Sequence, residues 1–171
     1  MNKSLLLIGY RGTGKTVFGK VISKKLGKEF IDTDRLIVKL GGKSIPQIFE
    51  DDGEEEFRRI ETEALKQATK KEGIIISCGG GIIVKERNFE LLSKGVVCLL
   101  TTDAKTIYDR IYNDDNRPSL TNKDPFEEIN HLLKVRGPLY ARAKDFEIKN
   151  LDKSINQCAD EIIEKFNELN K

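Results

Sequence analysis

Residues Gly9–Thr16 fit the pattern G-x-x-x-x-G-K-[ST] at every defined position. An apolar run, Leu5–Ile8, precedes this segment, and a stretch of helical periodicity, Lys15–Leu26, begins inside it. Glycines let the backbone curl so that its N–H groups point at phosphate oxygens, and the positive end of the helix dipole strengthens that field. The segment therefore predicts a phosphate-binding loop between a buried strand and a helix.

The residues of this loop have distinct tasks at a bound nucleotide. We expect Lys15 to reach the β- and γ-phosphates of ATP and the Thr16 hydroxyl to hold Mg²⁺. A purely structural glycine-rich turn is the alternative, but the strand before the loop and the helix after it favour nucleotide binding. The predicted ATP contacts in this segment are Gly12, Thr13, Gly14, Lys15, Thr16 and Val17.

Short β-rich runs alternate with longer helical segments along the whole chain, which predicts one α/β domain over residues 1–171. The predicted strands are Ser4–Ile8, Glu29–Ile31, Ile74–Ser77, Val96–Leu100 and Phe146–Ile148. The predicted helices are Lys15–Leu26 (with Val17, Val21, Ile22 and Leu26 on one apolar stripe), Asp34–Leu40, Ser44–Phe49, Glu54–Lys70, Lys85–Leu92, Ala104–Tyr112, Phe126–Lys144 and Ser154–Leu169. We expect a break in the helix over 126–144 at Gly137-Pro138 and a mobile polar loop over 113–125.

The charge, the apolar runs and the cysteines of the chain argue against some classes of function. The chain has 30 Lys and Arg against 28 Asp and Glu, mixed along its length, which argues against a nucleic-acid partner. Its apolar runs are too short to cross a membrane, and no secretory signal is expected. Three cysteines without a CxxC pair predict reduced thiols in a cytoplasmic protein.

Two acids follow the second predicted strand. Ligands of open α/β sheets bind beyond the carboxyl ends of the strands, so Asp32 and Asp34 are both expected to face the γ-phosphate. One would support Mg²⁺ through water, and the other would orient or deprotonate an acceptor hydroxyl. The alternative role is a helix N-cap, which would suit Asp34. The central strand ends in Ser77 where P-loop proteins commonly place an acid, so Asp32 is the better candidate for the Mg²⁺ shell.

A second glycine turn and four arginines complete the candidate residues. Gly79, Gly80 and Gly81 follow the central strand and would let a ligand approach the backbone closely. By pattern alone Arg58 is an exposed helix residue paired with Glu54, Glu55 or Glu61. The other candidates are Arg136 before the predicted helix break, Arg117 in the loop, where it could swing onto the phosphates, and Arg110, which could cover an adenine face.

Taken together, these residues resemble the shikimate kinase family over essentially the whole chain. The matching segments are Gly9–Thr16, Asp32-Thr33-Asp34, Phe57-Arg58-Arg59-Ile60-Glu61, Gly79-Gly80-Gly81, Arg117-Pro118 and Arg136-Gly137-Pro138-Leu139-Tyr140, in the family's order and spacing. The resemblance implies a P-loop NTPase fold, a three-layer α/β/α sandwich with a five-stranded parallel sheet. It also implies a substrate-binding insertion, about 32–61, and a mobile lid, about 113–125.

The resemblance also implies an activity and a role for each matched residue. The activity would be ATP-dependent phosphorylation of the 3-hydroxyl of shikimate, in chorismate and aromatic amino acid biosynthesis. Asp34, Arg58, the glycine triplet and Arg136 would hold shikimate, with Asp34 also the base. Arg117 would act on the phosphates, Arg110 would lie against adenine, and Thr16 and Asp32 would serve one Mg²⁺ per subunit. We expect a monomer.

Two other functions remain open from the sequence. A gluconate kinase of the same fold would share the phosphate loop but has no reason to combine Arg58, the glycine triplet and Arg136. A nucleotide-dependent switch would leave the acids and arginines unexplained, and no D-x-x-G motif follows the phosphate loop.

Overall fold

The computed structural model describes residues 2–112, 121 and 124–171. Five strands form one sheet: β1 (Leu5–Ile8), β2 (Phe30–Asp32), β3 (Ile75–Ser77), β4 (Val96–Thr101) and β5 (Phe146–Lys149). They lie in the order β2-β3-β1-β4-β5, and all four neighbouring pairs are parallel. The predicted α/β class with a five-stranded parallel sheet is confirmed.

Seven helices connect and cover the strands within the described residues. They are α1 (Lys15–Leu26), α2 (Thr33–Gly41), α3 (Ile45–Ala68), α4 (Arg87–Leu92), α5 (Ala104–Ile111), α6 (Pro125–Ala143) and α7 (Ile155–Leu169). Local sequence explains several ends: α1 stops at Gly27 in a left-handed conformation, and Ser154 begins α7 through a capping box with Gln157.

Two apolar layers enclose the sheet. On one face, Leu5 and Leu7 of β1 pack with Phe18 and Ile22 of α1 and with Phe166 of α7. The opposite face of β1 presents Leu6 and Ile8, which pack in a second cluster with residues of α3, α4 and α6, including Leu65, Leu92 and Tyr140. The alternation of β1 side chains between the two clusters gives the predicted three-layer α/β/α arrangement.

Two local predictions are wrong. Val17 is 49% exposed, because the i, i+4 pair Phe18 and Ile22 takes the inward face of α1 instead. The expected break at Gly137-Pro138 is absent, since α6 runs through Pro138 to Ala143. The proline removes a hydrogen bond to the carbonyl of Lys134, and the residues Lys134 and Pro138 are both exposed at the surface of the helix.

Helix α3 joins the two helices that the sequence predicts over 44–70. Ser44 begins α3 with a capping box to Gln47, as its position before Pro46 predicts. The chain is kinked at Gly53, whose φ of 83° and ψ of 172° are not helical. The kink separates an outer segment of α3, residues 45–52, from the rest of the helix. Both parts pack against Ile37 of α2: Ile48 from the outer segment, and Phe57, Ile60 and Ala64 from the rest.

All five strands point the same way, so their carboxyl ends meet at one edge of the sheet. The register pairs Ser77 of β3 with Leu7 on one side and with Asp32 on the other. Asp32, Ser77 and the loop after β1 are therefore brought together, where ligands of such sheets bind.

Three further findings concern the remaining predictions about the chain. Over the described ranges, no helix is long and apolar enough to cross a membrane. Cys78, Cys98 and Cys158 are buried free thiols. Arg117 and most of the predicted lid over 113–125 lie outside the described residues.

Candidate active site

The loop Gly9–Thr16 connects β1 to α1 and depends on its glycines. Gly9, Gly12 and Gly14 all have positive φ, at 141°, 80° and 93°. At Gly9 a Cβ atom would lie 2.4 Å from the Leu100 carbonyl oxygen, so a side chain there is excluded by backbone. No side chain caps α1, whose N-cap is Gly14. Lys15, Thr16 and Val17 in the first turn of α1 line a pocket beside the loop, at the end of a helix that favours anions.

Lys15 and Asn150 hold the loop from inside. Lys15 is buried, and its Nζ donates hydrogen bonds to the carbonyls of Gly9 and Tyr10, each at 2.8 Å. Asn150, directly after β5, donates from Nδ2 to the Thr13 carbonyl at 2.6 Å. Asn150 was not predicted, because its partner lies 137 residues away in sequence and no local pattern indicates the contact.

Thr16, Asp32 and Ser77 form a cluster of oxygen atoms beside the loop. The Thr16 hydroxyl donates to Asp32 Oδ2 at 2.8 Å and lies 3.5 Å from Ser77 Oγ. The other Asp32 oxygen, Oδ1, accepts from the Asp34 backbone N–H at 3.0 Å. The N-cap of α2 is thus Asp32 and not Asp34, which corrects the alternative considered for Asp34. Capping fixes Asp32 and leaves the Asp34 carboxylate in the first turn of α2.

Arg58 is not the exposed residue that its local pattern predicts. It is 3% exposed, and its Nη1 donates to Glu61 Oε2 at 2.8 Å, while Glu54 accepts more weakly at 3.4 Å. The guanidinium packs directly against the glycine triplet, since a Cβ atom at Gly81 would lie 2.1 Å from Arg58 Nη1. The absence of a side chain at Gly81 therefore makes room for Arg58.

Glu61 is an acid that the sequence prediction did not include among the site residues. Its side chain is 1% exposed, and burial raises the pKa of its carboxyl above the ordinary value, while the Arg58 guanidinium acts to lower it. The Glu61 and Asp34 carboxylates converge on Gly79, where an added Cβ would lie 3.0 Å and 3.1 Å from them. The i, i+3 spacing to Arg58 was the available signal, but many surface pairs share that spacing.

Arg136 projects from α6 toward the same place. It is 7% exposed, and its guanidinium lies 5.9 Å from the ring centroid of Tyr10. Among the described residues, no carboxylate lies within ion-pair distance of it, and Glu61 acts on it only at longer range. Tyr140, one turn further along α6, donates its hydroxyl to the Gly80 carbonyl. Burial raises the pKa of Tyr140 to about 12, so this hydroxyl stays a donor.

These side chains enclose an acceptor pocket that adjoins a phosphate pocket. The acceptor pocket is lined by Arg11, Asp34, Ile45, Phe49, Phe57, Arg58, Glu61, Gly79, Gly80, Gly81 and Arg136. The phosphate pocket is lined by Gly12, Gly14, Lys15, Thr16, Val17, Asp34, Ser77 and Cys78. Asp34 belongs to both walls, and so lies where the two pockets adjoin.

The remaining predicted residues lie at the edge of the phosphate pocket or outside the described part. Val17 is exposed and lines this pocket, so its predicted place beside ATP is compatible with the structure although its predicted place on the apolar stripe of α1 is not. Arg110, exposed on α5, donates to the Gly12 carbonyl at 2.9 Å. Its contact with adenine stays a prediction, as does the role of Arg117.

A phosphate loop beside a pocket lined by guanidinium groups, with a carboxylate where the pockets adjoin, defines a P-loop phosphotransferase for a small anionic acceptor. Comparison with known proteins identifies the family. The family model described as shikimate kinase matches residues 11–167. The chain belongs to the shikimate kinase family.

Individual relatives agree with this assignment. A shikimate kinase of Thermodesulfovibrio yellowstonii is 40% identical over 168 residues, covering 98% of this chain and 96% of the relative. The solved structure of a shikimate kinase from Acinetobacter baumannii in complex with shikimate superposes with a TM-score of 0.92 at 34% identity, covering 97% of this chain and 93% of that chain.

The gluconate kinase alternative finds no comparable support. A gluconokinase from Sinorhizobium meliloti has a TM-score of 0.61 at 14% identity, covering 98% of this chain and 93% of that chain. Such a likeness shows a shared fold alone.

Proposed function

We propose that this protein transfers the γ-phosphoryl group of ATP to the 3-hydroxyl of shikimate and so acts in chorismate and aromatic amino acid biosynthesis. The observation on which this proposal rests is the position of Asp34, which lines both the phosphate pocket and the acceptor pocket. A hydroxyl held at that junction would meet the terminal phosphate of a nucleotide on one side and a carboxylate base on the other.

The acceptor pocket suits a carboxylated ring. Phe49 and Phe57 supply apolar walls, with ring centroids 4.4 Å apart. Arg58 and Arg136 would bind the carboxylate of shikimate with paired hydrogen bonds, and Asp34 would accept from its hydroxyls. Gly79, Gly80 and Gly81 bring backbone close to the ring. We propose residues 32–61, with this glycine turn and Arg136, as the acceptor-binding region.

The ATP side follows from the loop. Gly12, Gly14, Lys15, Thr16 and Val17 line the phosphate pocket. These residues and Thr13 of the same loop would contact the nucleotide, with Lys15 on the β- and γ-phosphates and Arg110 against adenine. Arg117 would bring a further positive charge to the phosphates from the lid over 113–125, which would close over ATP and exclude water. Lys15, Asp34 and Arg117 are the proposed catalytic residues.

The oxygen cluster fits one Mg²⁺ ion. Mg²⁺ prefers oxygen ligands and is held with ATP by few protein groups together with water and phosphate. Thr16 and Asp32 offer such oxygens beside the phosphate loop, with Ser77 adjacent. Thr16 and Asp32 would hold the ion beside the loop, and its charge would offset the negative charge of the phosphates.

The chemistry then divides between the two pockets. Lys15 and the loop N–H groups stabilise charge that spreads over the phosphoryl oxygens, and Asp34 orients the 3-hydroxyl and accepts its proton. The arginines fix the ring so that the correct hydroxyl faces the phosphate. We further propose that the protein works as a monomer in the cytoplasm.

Release of ADP with different acceptors tests this function. A coupled assay with shikimate, with gluconate and without acceptor should show rapid ADP release only with shikimate, and mass spectrometry should show one added phosphoryl group. Rapid release with gluconate instead would favour that alternative. Slow release that does not depend on an acceptor would favour a nucleotide switch.

A further inference from the structure

Arg11 is a third guanidinium in the acceptor pocket, which the proposed function leaves without a role. It lies inside the phosphate loop and lines the pocket with Arg58 and Arg136. Its backbone passes close to the glycine turn, since a Cβ atom at Gly80 would lie 3.1 Å from Arg11 N. Arg11 therefore stands where the phosphate loop borders the acceptor pocket.

Glu128 holds the Arg11 side chain from α6. Arg11 Nη2 donates to Glu128 Oε1 at 2.8 Å, and the two side chains are 14% and 2% exposed. The other oxygen, Oε2, accepts from the Thr121 backbone N–H and hydroxyl, both at 2.8 Å. Both oxygens of a buried carboxylate are thus used, one by Arg11 of the phosphate loop and one by Thr121.

The arrangement repeats what Glu61 does for Arg58. In each case an acid that is at most 2% exposed fixes a guanidinium in the wall of the acceptor pocket. Tyr10 links the third arginine to this set, because the guanidinium carbons of Arg11 and Arg136 each lie 5.9 Å from its ring centroid. Burying such charges costs free energy unless each is paired in good geometry. The pairing with Glu128 therefore restricts the position of the Arg11 guanidinium.

We propose that Glu128 is a positioning residue of the acceptor site, which fixes Arg11 so that its guanidinium binds the acceptor at the phosphate-loop end of the pocket. Arg11 then adds positive charge next to the hydroxyl that receives the phosphoryl group. Glu128 itself touches neither substrate and acts through Arg11. This inference rests on the proposed function, since it concerns the same acceptor.

Steady-state kinetics of Glu128→Gln test the proposal. Loss of a charge-assisted contact predicts a rise of about tenfold in KM for shikimate, with KM for ATP changing by less than about twofold. The matched control is Glu127→Gln, which removes an exposed acid from the same first turn of α6 and should leave both KM values unchanged. A role limited to stabilising α6 would lower the melting temperature of Glu128→Gln without this KM difference, and that result would overturn the proposal.

A double-mutant cycle with Arg11→Gln tests whether Glu128 and Arg11 affect acceptor binding together or independently. If Glu128 acts through Arg11, the double variant should lose no more kcat/KM for shikimate than the worse single variant. Losses that multiply would contradict the inference. If Glu128→Gln does not fold, Arg11→Lys provides the test, because it keeps the charge but loses the fork, and an unchanged KM for shikimate would then overturn the proposal. Absence of shikimate-dependent turnover in the wild-type protein would instead refute the proposed function.

Discussion

At the scale of residues, Arg136 is a buried cation to which the described part of the chain offers no carboxylate within ion-pair distance. Burying an unpaired charge costs several kcal/mol in general, and an anionic ligand would offset much of that cost. Arg58 differs, because Glu61 already compensates it. We therefore expect a carboxylated acceptor to compensate the charge of the pocket, most directly at Arg136.

Replacing Arg136 with Lys should weaken acceptor binding specifically. Lysine keeps the charge but cannot bind a carboxylate with two parallel hydrogen bonds, so KM for shikimate should rise by about tenfold or more. Initial rates over a range of shikimate concentrations measure this effect. Arg142→Lys is the control, since Arg142 lies exposed on the same helix and pairs with Glu86. An unaltered KM for shikimate in Arg136→Lys would show that Arg136 does not bind the acceptor.

Glu61 predicts a pH dependence of acceptor binding. Burial raises the pKa of its carboxyl above the ordinary value of Glu, and protonation removes the negative charge that holds Arg58. As pH falls through that raised pKa, KM for shikimate should increase. A pH profile of kcat/KM for shikimate should therefore lose its acid limb in Glu61→Gln. If the acid limb persists unchanged in the variant, it arises from the titration of another group.

The same pKa shift predicts how stability changes with pH. Because the folded-state pKa of Glu61 is above the unfolded-state value, the native protein holds this proton in a window where the unfolded chain has lost it. The contribution of Glu61 to the free energy of unfolding is therefore fully present below the unfolded-state pKa and declines as pH rises to the folded-state pKa. Urea unfolding across this window, compared with Glu61→Gln, measures the difference; an opposite slope would contradict the shift.

Local pattern did not show where two of the buried charged residues lie. Arg58 stands among charged residues on a helix, and periodicity alone places it in solvent. The structure buries it because Gly81, 23 positions later, has no side chain to occupy that space. Glu128 was missed for a related reason: its partner Arg11 is 117 residues away, and one sequence does not show that contact.

At the scale of elements, the kink in α3 depends on Gly53. Its φ of 83° and ψ of 172° lie in a region that side-chain-bearing residues almost never adopt. A Cβ atom there would meet nothing within 4 Å, so the cost of a substitution is conformational and not steric crowding. The kink sets the direction in which the outer part of α3 meets the acceptor pocket.

Gly53→Ala should lower the free energy of unfolding by about 1–3 kcal/mol. Gly137→Ala is the matched control, because Gly137 lies within α6 and an added Cβ there also meets nothing within 4 Å. In a regular helix alanine is favoured over glycine, so that control should gain up to about 1 kcal/mol. Chemical denaturation of both variants gives the comparison. If both substitutions change the free energy of unfolding equally, alanine at position 53 causes no backbone strain.

The order and type of the elements could be predicted because two periodicities alternate along the chain. Buried runs such as Val96–Leu100 differ clearly from amphipathic stretches such as Glu54–Lys70. The break expected at Pro138 was wrong because α6 continues through the proline. A Gly-Pro motif disfavours a helix locally, but it does not show how the surrounding helix is packed.

At the scale of the whole molecule, the parallel sheet brings distant segments to one edge. The phosphate loop after β1, Asp32 at the end of β2 and the glycine turn after β3 meet there because all strands run the same way. This convergence could be anticipated from an α/β pattern, since the rule depends on topology and not on side-chain detail. The pairing of Arg11 with Glu128 could not, because it depends on how α6 packs against the loop.

The central claim is that phosphoryl transfer takes place at Asp34, where the two pockets adjoin. The most direct test is the turnover of Asp34→Asn at saturating ATP and shikimate, measured as ADP release. Loss of the base predicts a fall in kcat of at least about 100-fold with the fold intact. A variant that keeps the wild-type kcat would contradict the claim.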